Sequence, residues 1–107
     1  MAYLDPAVGS EQAGTRPAII VSDEDYNQVM TLVTVLPVTS RKRGRRVYSN
    51  EVLLERGTAG LTTESIVLAH QIRTISKRRL LNAMGDIGSV DIQGRILEAM
   101  KKHLGMW

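Results

Sequence analysis

The chain contains no cysteine, which excludes a disulfide framework and a thiolate metal site. A reducing compartment is compatible with this composition. Its two histidines, His70 and His103, lie far apart in the sequence, so the residue types argue against a catalytic zinc site. The sequence also lacks the Gly-x-x-x-x-Gly-Lys pattern of a phosphate-binding loop, which excludes the commonest nucleotide site.

Long hydrophobic runs are absent as well. No apolar stretch approaches the roughly 20 residues that cross a bilayer, and the first residues lack the basic-then-apolar pattern of a signal peptide. These features predict a cytoplasmic protein without a membrane partner. At 107 residues the chain has room for one core, so we expect a single domain over residues 1–107 and a second subunit wherever an elaborate site is built.

Positive charge is concentrated in one segment. The formal net charge is +3, and residues 41–46 read Arg-Lys-Arg-Gly-Arg-Arg. A cluster of this kind indicates a polyanionic partner, although a solvated surface loop is the alternative. Arginine outnumbers lysine here, which favours phosphate because the planar guanidinium binds it through two parallel hydrogen bonds.

Hydrophobic patterning predicts a mainly β protein with one long helix. Apolar, β-branched runs predict strands over residues 17–22, 31–39, 47–54 and 65–76, the last bent around residues 69–71. Pro37 indicates that the second strand leaves the central sheet there. Residues 22–25 predict a cap and a helical turn, and residues 90–104 predict an amphipathic helix that Ser89 caps and Gly105 ends. The fold class is α+β: a small barrel or strongly curved sheet with a C-terminal helix packed on it.

The loop before the first of these strands carries the strongest functional signal. Residues 9–17 read Gly-Ser-Glu-Gln-Ala-Gly-Thr-Arg-Pro, and the apolar run Ala-Ile-Ile-Val follows at once. Two glycines let the backbone turn sharply, and polar side chains gather where the strand begins. Arg16, restrained by Pro17, is placed to donate to phosphoryl oxygens, while an ordinary surface arginine is the alternative.

This motif resembles the Gly-Ser-Glu-Gln-x-Gly-x-Arg-Pro signature of the MazF/PemK toxins, the ribonucleases of bacterial toxin–antitoxin pairs. Further segments resemble the same family in order and spacing, so the likeness covers nearly the whole chain; they are residues 25–27, 36–40, 48–52, 65–80 and 94–104. The resemblance implies an SH3-like or CcdB-like barrel and a homodimer. Three departures stand out: most of the family's first strand is missing around residues 4–6, His70 replaces an acidic residue, and Asn50 replaces an aromatic one.

The resemblance also implies the roles of individual residues. Arg16 and Thr39 correspond to the family's catalytic pair, and Glu11 would act as a base or orient Arg16. The bland alternatives are a structural threonine at a strand end and a glutamate that balances the arginine. The residues expected to contact RNA are Ser10, Gln12, Thr15, Ser40, Arg41, Arg43, Arg45 and Gln71. Gln71 is preferred over His70 as the side chain that faces the groove, and His103 is expected to be solvated.

The function that the resemblance implies is a sequence-selective endoribonuclease that needs neither a metal nor a cofactor. Its partners would be single-stranded RNA, a second copy of the chain and a MazE-like antitoxin whose acidic tail covers the basic groove. Two alternatives remain open at this point. One is a CcdB-like toxin that binds DNA gyrase without cutting RNA, and the other is an inactive, truncated relative.

Overall fold

In a computed structural model of the protein, seven antiparallel strands form one sheet with a long C-terminal helix against it. The structure describes residues 16–80, 83 and 85–106, together with the backbone of residues 2–7. The strands are β1 (Ala2–Ala7), β2 (Arg16–Ile20), β3 (Leu32–Ser40), β4 (Glu51–Leu54), β5 (Ser65–Leu68), β6 (Arg73–Ser76) and β7 (Gly85–Ile87). The helices are α1 (Glu24–Val29) and α2 (Val90–Leu104), and short 3₁₀ turns lie at Thr58–Gly60, Ala69–Gln71 and Lys77–Arg79.

Strand β3 organises the sheet. It pairs with β2 along one edge, and with β6 and then β5 along the other, in the order β4-β5-β3-β2-β1-β7. Its pairing with β2 ends at Pro37, and its pairing with β5 begins at Val38. The sequence prediction for Pro37 therefore agrees with the structure: from this residue onward β3 belongs to a second set of strands.

The predicted strand over residues 65–76 is interrupted at the predicted place. Val38 of β3 faces Val67 of β5, and Val33 of β3 faces Ile75 of β6. Moving back five residues along β3 therefore moves the facing position forward by eight residues, which is three more than an unbroken ladder gives. The difference of three equals the three residues of the Ala69–Gln71 turn. This turn is therefore displaced from the ladder, which brings His70 and Gln71 out of the sheet.

Two expectations about the edges of the sheet need correction. Strand β1 lies between β2 and β7 and pairs with both, so the expectation that most of the first strand is missing is wrong for this structure. The α+β class with a C-terminal helix is confirmed, but the sheet stays open. Within the described ranges no pairing joins β4 to β7, the two ends of the strand order, so the sheet is curved rather than a closed barrel.

The core explains why the strands are apolar on both faces. The larger cluster lies between the sheet and α2, where Ile19, Leu36 and Val67 pack with Ile96 and Ala99 of the helix. A smaller cluster contains the alternate residues of the same strands: Ala18, Ile20, Val33, Val35 and Ile75. Successive residues of a strand point to opposite faces, so β2 contributes to both clusters.

The two helices follow their sequence signals. Helix α2 spans the predicted residues; the Ser89 hydroxyl accepts from the Ile92 N–H at 3.2 Å, and Gly105 ends the helix at φ 72°. Asp23 caps α1 by accepting from the Asp25 N–H at 3.1 Å. The prediction for β4 began too early, because Tyr48 and Glu51 close a turn at 3.0 Å and the strand starts only at Glu51. Neither helix in the described ranges has the length and apolar content needed to cross a bilayer.

Candidate functional site

The pairing of β2 and β3 brings the two predicted catalytic residues to the same end of neighbouring strands. Ala18 faces Pro37 and Ile19 faces Leu36. Arg16 lies two residues before Ala18 and Thr39 lies two residues after Pro37, so both residues follow the last paired positions at the same end of the two strands. Their joint action on one phosphate stays a prediction.

Both side chains of this pair have hydrogen-bonding capacity to spare. Arg16 is exposed and Thr39 is half-buried. Within residues 16–80, 83 and 85–106, neither side chain has a hydrogen bond or ion pair with another side chain. An arginine supplies up to five N–H donors and a threonine hydroxyl both donates and accepts, so the pair is equipped to hold a phosphate group.

The polar loop that precedes β2 is not part of this geometry. Ser10, Glu11, Gln12 and Thr15 lie outside the described residues. Their roles, including that of Glu11 as a base or as a partner of Arg16, stay predictions.

The basic segment, residues 41–46, continues directly from the end of β3 and folds into a compact turn. The Arg45 N–H donates to the Lys42 carbonyl at 2.9 Å, and Gly44 adopts φ 76°, a left-handed conformation that glycine tolerates without strain. The Arg41 Nε donates to the Arg45 carbonyl at 2.9 Å. Arg41 also pairs with the exposed carboxylate of Glu64 at 3.2 Å.

Arg45 pairs with a buried carboxylate, which the sequence analysis did not anticipate. Its two terminal nitrogens donate to the two oxygens of Glu51 at 2.9 and 2.8 Å, while the side chain of Glu51 is only 1% exposed. The hydrogen bond from Arg45 is the main reason that the pKa of Glu51 falls to about 2, with smaller contributions from the Tyr48 N–H and His70. The same hydrogen bond to Glu51 raises the pKa of Arg45. Both groups are therefore charged at neutral pH. RNA contact by Arg45 stays a prediction, and such a contact would compete with the hydrogen bonds from Arg45 to Glu51.

The other cations of the basic segment face outward. Lys42 and Arg43 are exposed at the tip of the turn, and neither has an ion pair within the described residues. Arg46 lies over the Tyr48 ring, with its guanidinium carbon 5.3 Å from the ring centroid. Ser40, at the start of the segment, is exposed and lies 3.2 Å from the Thr63 hydroxyl. The segment thus divides into two arginines that pair with carboxylates, Arg41 and Arg45, and three outward cations, which are Lys42, Arg43 and Arg46.

The turn at Ala69–Gln71 separates His70 from Gln71. His70 Nε2 lies 2.8 Å from Glu51 Oε2, and because an ionised carboxylate only accepts, Nε2 must carry the hydrogen. Gln71 is exposed and has no such contact within the described residues, and its role as the groove-facing side chain stays a prediction. His103 is exposed, and its ring packs edge-on against the His70 ring, with the two ring centroids 6.2 Å apart. Within the described part of the chain, no three potential ligands gather closely enough to hold a metal ion.

A comparison with known families decides where the chain belongs. The family model described as PemK-like, MazF-like toxin of type II toxin–antitoxin system matches residues 1–104. The chain belongs to this family. The resemblance inferred from residues 9–17 and the later segments is therefore confirmed.

Individual relatives support the same assignment. The chain is 39% identical over 109 residues to endoribonuclease MazF9 of Mycobacterium tuberculosis (strain ATCC 25618 / H37Rv), covering 97% of this chain and 90% of the relative. It superposes on the Mycobacterium tuberculosis toxin MazF-mt6 with a TM-score of 0.84 at 24% identity, covering 98% of both chains, which shows the fold. A MazE–MazF structure from Deinococcus radiodurans matches with a TM-score of 0.76 at 29% identity, covering 98% of this chain and 93% of that one.

Proposed function

We propose that this toxin is a metal-independent endoribonuclease that cuts single-stranded RNA at selected sequences and thereby stops translation. The observation that supports the proposal is that Arg16 and Thr39 lie at the same end of the paired strands β2 and β3, next to the basic segment that follows Ser40. Two neighbouring strands then present a guanidinium and a hydroxyl to one phosphate, and the outward cations are available for the phosphates beside it.

The proposed reaction uses the substrate's own ribose. The 2′-hydroxyl loses its proton and its oxygen attacks the adjacent phosphorus, while the bond from phosphorus to the 5′-oxygen breaks and that oxygen takes up a proton. The products are a 2′,3′-cyclic phosphate and a 5′-hydroxyl. Arg16 would stabilise the charge that builds on the non-bridging oxygens, and Thr39 would hydrogen-bond the same phosphate. Glu11 is proposed as the base or as the residue that orients Arg16.

The proposed partners follow from the family and from the surface. The Deinococcus radiodurans relative is named as a MazE–MazF complex, and we propose that a MazE-like antitoxin with an acidic tail covers the outward cations of this chain. We also propose a homodimer in the cytoplasm. Helix α2 leaves Val90, Leu97 and Leu104 exposed by 82%, 51% and 52%. Their seven-residue spacing places them along one side of the helix, where a second copy would cover them.

The alternative functions lack comparable support. A toxin that only binds gyrase would not require a guanidinium and a hydroxyl at the same end of two paired strands, and the relative MazF9 is named an endoribonuclease. The truncated, inactive relative was suggested by a missing first strand, yet β1 pairs with β2 and β7.

Cleavage in the presence of EDTA tests the proposal. The purified protein and its Arg16→Ala variant are incubated with a long, mostly unstructured RNA, and the ends are mapped by primer extension. We expect defined cuts from the wild type and none from Arg16→Ala. The matched control is Arg95→Ala, which removes an exposed arginine paired with Asp91 on α2 and should cut normally. Intact RNA after incubation with folded wild type would overturn the proposal.

A further inference from the structure

The Glu51 carboxylate joins two segments that lie far apart in the sequence. It accepts hydrogen bonds from both terminal nitrogens of Arg45 in the basic segment, at 2.9 and 2.8 Å. Its Oε2 also lies 2.8 Å from His70 Nε2 in the Ala69–Gln71 turn. The backbone N–H of Tyr48 supplies a further hydrogen bond at 3.0 Å. Each carboxylate oxygen thus has two partners, and both segments contain residues expected to contact RNA.

Because it is buried, the Glu51 carboxylate depends on these hydrogen-bond partners. A carboxylate that is 1% exposed stays charged only if its partners remain in place, because an unpaired buried charge is strongly unfavourable. The Arg45 and His70 side chains are 31% and 27% exposed, so they close the carboxylate off from solvent. Displacing either segment would remove part of the hydrogen bonding that compensates this buried charge, and the two segments are therefore held as one unit.

The outward side chains depend on this unit. Lys42 and Arg43 sit at the tip of a turn whose closing hydrogen bond comes from the Arg45 N–H, and Gln71 is the direct neighbour of His70. We infer that Glu51 is a positioning residue for RNA: through Arg45 and His70 it fixes the basic segment and Gln71 in the arrangement that receives the phosphate backbone and the base beside the cut. This inference rests on the proposed function, and it gives Glu51 a role without contact to RNA.

The sign of the effect separates positioning from simple electrostatics. Glu51 carries a negative charge, so removing that charge should tighten RNA binding if only the long-range field mattered. If Glu51 positions the binding groups, removing it should weaken binding despite the gain in net positive charge. A residue that only stabilises the fold would change neither the dissociation constant nor KM of the folded protein.

The test uses Glu51→Gln beside the matched control Glu55→Gln. Glu55 is an exposed glutamate just past β4, so its substitution changes the net charge equally without touching the network. Binding is measured by fluorescence anisotropy with fully 2′-O-methylated RNA, which lacks the attacking hydroxyl, and kcat and KM are measured with ordinary RNA. We expect Glu51→Gln to weaken binding and raise KM about tenfold, as for the loss of a charge-assisted hydrogen bond, with kcat within about twofold. Glu55→Gln should bind as tightly as wild type or tighter. Equal or tighter binding by folded Glu51→Gln would overturn the inference.

A second variant keeps the test decisive if Glu51→Gln does not fold. Arg45→Lys preserves the charge but cannot make the paired hydrogen bonds to Glu51. We expect it to raise KM in the same direction, and the double variant to be no worse than the more affected single variant. A KM increase in Arg45→Lys with wild-type behaviour in Glu51→Gln would assign Arg45 to direct phosphate contact and overturn the inference. Failure of wild type to cut RNA would overturn the proposed function, whereas a cutting protein indifferent to both substitutions would overturn this inference alone.

Discussion

The end of strands β2 and β3 that carries Arg16 and Thr39 and the Arg45–Glu51 pair both combine an arginine with an oxygen-bearing side chain, yet they leave very different capacity for a ligand. Arg16 is exposed and has no side-chain partner within the described ranges, whereas Arg45 already donates hydrogen bonds from both terminal nitrogens to the Glu51 carboxylate. A guanidinium with free donors can respond to charge that develops on a phosphate. One that is already paired fixes the geometry of its surroundings. In the proposed mechanism the same residue type therefore serves catalysis at Arg16 and fixes local geometry at Arg45.

Among the substitutions that test this comparison, the removal of the Arg16 side chain should have the largest effect on cleavage. We expect Arg16→Ala to lower kcat by about 10²–10³-fold, the loss found when one preorganised donor to a developing oxyanion is removed. Arg16→Lys should retain more activity because it keeps the charge but not the paired donors. Single-turnover cleavage at saturating RNA measures this step. Equal rates for wild type and Arg16→Ala would contradict the role given to Arg16.

The Arg45–Glu51 pair should appear instead in the pH dependence of stability. The pKa of Glu51 is lowered to about 2, so its ionised form stabilises the folded protein above the unfolded pKa of about 4.3, and this contribution is lost as pH falls from about 4.5 through 2. At pH 7 we expect Glu51→Gln to lower the free energy of unfolding by about 2–3 kcal/mol. Urea unfolding of both proteins between pH 7 and pH 2.5 checks this. Parallel pH profiles, with a constant difference, would contradict it.

Thr39→Val isolates the hydroxyl of the strand pair. Valine is also β-branched and has a similar shape, so β3 should keep its structure while one hydrogen bond to the phosphate is lost. We expect about a tenfold decrease in kcat, equivalent to about 1–2 kcal/mol. The circular dichroism spectrum and melting temperature serve as folding controls. An unchanged kcat would leave Thr39 with a structural role only.

Arg43→Ala should produce the smallest effect, confined to binding. Arg43 is exposed at the tip of the basic turn, so it is expected to neutralise one phosphate without touching the reacting group. Anisotropy titrations over a range of salt concentrations should show a slope of log K against log salt reduced by about 0.7, the value for one contact to a single strand. A slope identical to that of wild type would remove Arg43 from the interface.

Local signals in the sequence predicted some elements well. The bounds of α2 follow from apolar spacing, the Ser89 cap and Gly105, all of which act within a few residues of the helix. The break at residues 69–71 was also predicted, although only the structure shows that it shifts the register by three. Strands β1 and β7 were missed as elements because neither contains an apolar, β-branched run, and they depend on pairing with each other and, for β1, with β2. Such pairing is tertiary information.

The candidate site shows the same division. The family motif identified Arg16 and Thr39, but only the pairing of β2 with β3 shows that they lie at the same end of two neighbouring strands. The cation run at residues 41–46 predicted a single basic surface. The pairing of two of its arginines depends on two carboxylates from other segments, Glu64 for Arg41 and Glu51 for Arg45. A glutamate directly before the apolar residues of β4, six residues after Arg45, is the one signal that would have drawn attention to Glu51.

The chemistry of the cut ends tests the central claim most directly. Wild type is incubated in EDTA with an RNA that contains the mapped cleavage sequence, and with the same RNA carrying a single 2′-deoxy nucleotide on the 5′ side of the cut. If Arg16 and Thr39 serve attack by the ribose hydroxyl, the first RNA yields 2′,3′-cyclic phosphate and 5′-hydroxyl ends, and the second stays intact. Cleavage of the deoxy-substituted RNA, or cutting of RNA that requires a divalent metal, would contradict this account.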